Sequence, residues 1–217
     1  MIGVGNNPIL FYNEFIAKEI LMNIKELTHS QLMMGVELSY DETKAHRISR
    51  KWGEDIDKKH QGIVYFITVN DEIVKIGGSS STIGKLVGQY LINMESKAEP
   101  RENRFCLHLR ILSHLYRGDV VRYYYIPVQD METRLEGMFG EMLTAHHREF
   151  RIVESRLIEQ YQIRNGDVPA WNNTEGKIGW SEEIISLFDN REMRLKSGES
   201  EFFSYDDYIA NCNIGLA

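Results

Sequence analysis

The chain has 217 residues, of which 42% are hydrophobic, a length that supports one substantial core with small appendages rather than two large domains. Its formal charge of −7 argues at first sight against a nucleic-acid partner, because phosphate binding needs a basic surface. The two cysteines, Cys106 and Cys212, lack CxxC spacing and histidine partners, no apolar run approaches the roughly 18 residues of a membrane helix, and MIGVGNNPIL lacks a secretory leader pattern; a disulfide scaffold, structural zinc and a membrane span are therefore not expected, and an intracellular location is.

Residues 8–28 open with Pro8 and place Ile16, Ile20, Ile24 and Leu27 at helical spacing, which predicts an amphipathic helix. Gln31 to Trp52, with Met33, Met34 and Leu38 followed by Asp41-Glu42, predicts a second helical stretch. Three roles are open to this arm: covering a sheet, dimerising, or meeting DNA through Lys44, Arg47, Arg50 and Lys51, and an apolar stripe favours packing.

Residues 62–78, GIVYFITVNDEIVKIGG, predict a β-hairpin: a β-branched and aromatic run, an Asn70-Asp71 turn, a second run and a closing Gly pair. With that turn, Tyr65 and Lys75 lie across from or diagonal to each other on one sheet face. Residues 78–82 form a small-residue loop that feeds a helix over 83–94. Gly84-Lys85 is followed by Leu86 without the upstream spacing of a phosphate-binding loop, so no nucleotide site is expected.

After a polar connection over 97–102, Phe105, Leu109, Leu112 and Tyr116 follow helical spacing, although 107–111 also alternates like a strand. Residues 120–128, VVRYYYIPV included, predict a third strand, and 130–145 and 149–163 two further helices. Gly166 and Pro169 end the last of these before a turn at Trp171-Asn172-Asn173. Two short helices over 180–195 and 202–210, joined by the polar run 196–201, make an acidic tail that holds most of the net negative charge. Residues 101–164, by contrast, carry ten arginines, four histidines and no lysine. Arginine's planar fork suits phosphate, and solvated helix faces with paired Glu and Arg are the plain alternative.

The order of these elements, with particular residues, resembles the GIY-YIG nuclease family. Ile63-Val64-Tyr65 stands for the first triplet and Lys75-Ile76-Gly77 for the second, ten residues separating Tyr65 from Lys75. Ile63 takes the place of the triplet's glycine, with Gly62 one residue earlier, and Lys75 that of the second tyrosine, as in a subgroup of restriction endonucleases and phage-type relatives. Glu154 with Leu157-Ile158 and Tyr161, followed by Pro169-Ala-Trp-Asn172, is similar to the family's metal-binding glutamate segment and terminal asparagine; Glu132 and Glu136 are the rivals for the glutamate. The family arginine falls near Lys85, but Arg104 and His108 reproduce the family's R-x-x-x-H spacing if 78–103 holds an insertion.

The resemblance covers residues 62–172. It implies an α+β fold, a small three-stranded antiparallel sheet flanked by helices, with a helical N-terminal arm (1–61), a nuclease core (62–175) and an acidic helical extension (176–217). It further implies a cytoplasmic, restriction-like or phage-borne DNA endonuclease of the site-specific homing or nicking kind, using one Mg²⁺ or Mn²⁺ at Glu154 and no nucleotide cofactor. Tyr65 would be the base, Lys75 its positive neighbour, Arg104 the phosphate ligand, His108 an assistant to the base or a residue that positions the water, and Asn172 the residue that orients Glu154 or the backbone nearby. A homodimer suits cutting of both strands. The alternative reading is a DNA-binding or regulatory protein that kept the fold and lost the reaction.

Overall fold

The computed structural model describes residues 22–27, 31–54, 56, 59–92, 102–128, 131–136, 142–147 and 149–172, with five further positions between 182 and 193. Of the expected helix at 8–28, the described part is a 3-10 turn, Ile24–Glu26, closed by a capping box in which Asn23 and Glu26 serve each other's backbone. The expected helix at 202–210 lies outside the described residues, and 180–195 is helical at its five described positions.

The strands β1 (Met33–Tyr40), β2 (Ile48–Trp52), β3 (Ile63–Val69), β4 (Glu72–Ser79) and β5 (Val121–Pro127) form one antiparallel sheet in the order β2-β1-β5-β3-β4. The expected three-stranded sheet is thus corrected to five strands, because Gln31 to Trp52 is a β-hairpin and not a helix. Val36 and Leu38 are buried with Glu37 between them, which is strand alternation. A register shift between Met34 and Val36 interrupts that period, and the interruption makes the Met33, Met34 and Leu38 spacing look helical. Asp41 also does not start a helix. Its carboxylate accepts from the Thr43 N–H at 3.0 Å and the Thr43 hydroxyl at 2.6 Å, a local turn that reverses the chain between β1 and β2.

The expected helix at 130–145 is also corrected. Residues Met131–Glu136 (β6) and Met142–His147 (β7) pair as a separate antiparallel hairpin, and Gly137 and Gly140 between them make a continuous helix costly.

Helices α1 (Ile83–Tyr90) and α2 (Glu102–Tyr116) cover one face of the main sheet, where Phe105, Leu109 and Leu112 pack with Tyr65, Ile67, Tyr123 and Tyr125. Helix α3 (Glu149–Asn165) covers the other, where Phe150, Val153, Leu157 and Tyr161 meet Val64, Phe66 and Ile76. Strand β3 is therefore buried along its whole length on both faces, which is why it reads as a continuous apolar run.

Strand β4 is an edge, yet backbone groups in its first half are occupied from outside the sheet. Ile24 N–H donates to the Asp71 carbonyl at 2.8 Å and Ile73 N–H to the Met22 carbonyl at 2.9 Å, while Trp171 N–H donates to the Val74 carbonyl at 2.8 Å. Among the described residues no helix is long and apolar enough to cross a membrane.

Candidate active site

The β3–β4 hairpin sets the site's register. Asn70 and Asp71 both have positive φ, 50° and 69°, the backbone of a two-residue turn whose twist matches the flanking strands. A register shift between Ile67 and Thr68, where Val74 is the extra residue on β4, then moves the pairing by one, so Ile67 pairs with Lys75 and Tyr65 with Gly77, and Tyr65 and Lys75 become diagonal neighbours on one face. The Gly77-Gly78 pair then admits two close approaches. A Cβ on Gly77 would sit 2.5 Å from the Tyr65 hydroxyl oxygen, and one on Gly78 would strike the Glu154 carboxylate and lie 2.7 Å from the Phe150 ring. An aromatic ring on one side and a carboxylate from α3 on the other thus reach adjacent residues of one strand.

Three titratable groups meet here, each shifted by burial. The half-buried Glu154 carboxyl is raised above the ordinary carboxylate range, although it accepts the Gly78 N–H and has Lys75 and Arg151 near it. Burial lowers the Lys75 ammonium, against the pull of Glu154, and its Nζ donates to the Trp171 carbonyl at 3.1 Å. Burial pushes the Tyr65 phenol well above its usual value, and neighbouring Tyr90, Tyr123 and Glu154 push the same way. Its hydroxyl lies 3.1 Å from the Tyr90 hydroxyl and its ring stacks on Tyr123 at 6.2 Å.

Asn172 grips the strand itself. Its Oδ1 accepts the Ile76 N–H at 2.8 Å and its Nδ2 donates to the Ile76 carbonyl at 2.6 Å. Asn172→Ala is expected to cost about 1–2 kcal/mol, the worth of two such bonds. Asn172→Asp is expected to cost more, since a carboxylate oxygen then faces a carbonyl oxygen. Denaturant midpoints of the two variants check this order, and a more stable Asp variant contradicts the clamp.

A cleft of about 660 Å³ opens at the end of β4. Glu154 and Arg151 of α3 line it together with the Ser79–Ser81 loop, Gln89 and Arg104, whose guanidinium donates to Gln89 Oε1 at 3.0 Å. The structure brings Arg104 and Glu154 to one opening. Tyr65 and Lys75 stand behind Glu154, Asn172 lies along β4, and Lys85 is exposed on α1 away from the cleft lining. The side chains of Glu132 and Glu136 lie outside the described residues.

His108 is fully buried in α2, with Nδ1 3.1 Å from the Tyr90 carbonyl, and burial lowers its pKa to about 4. The imidazole is neutral at physiological pH. Because the folded value lies below the unfolded one, stability is whole above about pH 6.5 and falls with acid by about 1.4 kcal/mol per pH unit down to the folded value. His108→Gln is expected to flatten that loss in a series of melting curves from pH 7 to 4. An equal acid slope in variant and wild type rejects this assignment.

Tyr90 carried no sequence signal, because it meets Tyr65 and His108 only through the tertiary fold. Arg151 lies three residues before Glu154 in the expected helix and so shares its face by spacing, but the opening that this face lines belongs to the fold.

No family model and no curated protein matches the chain. Among solved structures it is similar to an alanine mutant of EndoII from bacteriophage T4, at 20% identity and a TM-score of 0.48, over 65% of this chain and 96% of that one. It is also similar to the restriction endonuclease HPY188I in complex with product DNA, at 19% identity and a TM-score of 0.41, over 69% of this chain and 85% of that one. Neither likeness assigns a role to a residue here.

Proposed function

We propose that this chain is a metal-dependent DNA endonuclease that hydrolyses phosphodiester bonds in the cleft at the end of β4, with a site of the GIY-YIG type. The observation that carries the reading is the placement of Glu154. A carboxylate anchored by a backbone N–H and backed by Lys75 shares an opening with Arg104, so one phosphate can meet both a cation-binding group and a guanidinium.

Among the described residues no group of three His, Cys, Asp or Glu side chains could hold a metal. The donor set is one carboxylate beside serine hydroxyls, which fits Mg²⁺ or Mn²⁺ keeping most of its water and does not fit zinc. Glu154 would hold that ion, which supplies charge at the phosphate and at the leaving oxygen when bound. Arg104 neutralises the phosphate through a bidentate contact. Asn172 fixes the strand that carries Lys75 and Gly78. His108 acts at one remove, through Tyr90.

Tyr65 deprotonates the attacking water in this scheme, and Lys75 supplies the positive field that favours the phenolate. Burial opposes ionisation, so cleavage is expected to rise with pH through the alkaline range and Tyr65→Phe to abolish both the activity and the rise. Retained activity in Tyr65→Phe removes the base role. The closed pair of Tyr65 and Tyr90 hydroxyls favours the rival reading, a DNA-binding module without the reaction. Supercoiled plasmid incubated with Mg²⁺ and with chelator separates the two. Mg²⁺-dependent nicking or linearisation supports the nuclease, whereas binding without cutting supports the module.

A further inference from the structure

Two guanidinium groups reach the cleft from different helices. Arg104 enters from the first turn of α2, tied to Gln89, while Arg151 stands exposed on α3, three residues before Glu154. Arg151, Glu154, Ser155 and Ile158 all line the cleft, because residues three, four and seven apart share a helix face. Helix physics does not favour an arginine at that point. Arg151 lies in the first turn of a helix that begins at Glu149, against the positive end of the helix dipole, where acidic groups are preferred. Glu154 already has the Gly78 N–H and Lys75 as partners, both acting on it more strongly than Arg151 does.

A DNA strand carries one phosphate per nucleotide, so a cleft that seats a phosphate at Arg104 also receives its neighbours. We infer that Arg151 is a positioning residue that grips the phosphate next to the scissile one on the strand being cut. The inference rests on the nuclease reading and adds a second anion contact to the same cleft. It acts on binding and alignment, whereas Glu154 and Arg104 act on the reacting phosphate.

The test is the affinity of a short DNA duplex, in chelator so that nothing is cut, across a salt series for wild type, Arg151→Gln and Arg156→Gln. Arg156 is on α3 outside the cleft lining, paired with Glu159 at 2.9 Å, and is the control. The slope of log Kd against log salt is expected to fall by about 0.9 for Arg151→Gln and to stay unchanged for Arg156→Gln. With plasmid and Mg²⁺, the KM of Arg151→Gln rises while kcat is largely kept. An unchanged slope in Arg151→Gln, or equal falls in both variants, overturns the inference and leaves the nuclease reading intact. Absence of DNA binding by the wild type overturns both, and a lowered slope without cutting keeps the phosphate contact and removes only the reaction.

Discussion

Glu154→Ala is expected to lower Mg²⁺-dependent plasmid cleavage by about 10³-fold or more while duplex binding in chelator stays within a few-fold of wild type. The size follows from the donor set. Among the described residues Glu154 is the one carboxylate lining the cleft, so no neighbouring acid of that lining can take over its charge. Its backbone partner also matters. The Gly78 N–H holds the carboxylate above the strand, and Glu154→Asp, one methylene shorter, loses that contact and is expected to recover little activity. Side-chain loss here opens no core cavity, because the group is half-exposed, so the melting temperature of the alanine variant should stay close to wild type. Cleavage at an undiminished rate by a folded Glu154→Ala protein would falsify the scheme.

Gly78→Ala should lower stability and activity together. The added carbon meets the Glu154 carboxylate and, 2.7 Å away, the ring of Phe150, which is buried against the sheet and has no room to withdraw. Overpacking of this kind costs about 1–3 kcal/mol, or a fall of several degrees in melting temperature for a chain of this size, at roughly 2–4 °C per kcal/mol. Helix α3 must shift outward, and Glu154 with it, so cleavage falls alongside stability. Gly77→Ala strains the opposite face, where the Tyr65 ring stacks on Tyr123. Gly88→Ala serves as the control. It sits in α1, where an added methyl carbon meets nothing within 4 Å, and is expected to stabilise by up to about 1 kcal/mol through helix propensity alone. Calorimetry and cleavage assays on the three variants check the pattern; a Gly78→Ala protein as stable and active as Gly88→Ala contradicts the close approach.

The parts of this fold that were legible in the sequence are those whose cause is local. The Asn70-Asp71 turn and the runs on either side define the β3–β4 hairpin because φ and side-chain preference act within a few residues. Strand β5 and helices α2 and α3 announce themselves similarly. Strands β1 and β2 do not, because a register shift at Gly35 hides the alternation and Asp41 has the chemistry of a helix start as well as of a turn. At the site, the pattern around Glu154 and Asn172 points to residues that do converge on β4, one through Gly78 and the other through Ile76. The spacing that pairs Arg104 with His108 places the first at the cleft and the second in the core, since four residues along a buried helix do not fix which end is open. Tyr90 depends on packing between elements far apart in the chain, which no local pattern encodes, whereas Arg151 shares the face of Glu154 by helical spacing and only the cleft itself needed the fold.

Strand β4 is stapled by two segments that flank the hairpin from far apart in sequence, residues 22–24 on one side and 171–172 on the other. A minimal fragment cut to the hairpin and its helices would therefore expose a row of unpaired amides and carbonyls, the template on which edge strands of separate molecules join. Such a fragment should form soluble oligomers or precipitate on concentration even if each copy folds. Truncation before residue 22 should be tolerated far better than truncation at residue 31, although neither removes a strand of the sheet.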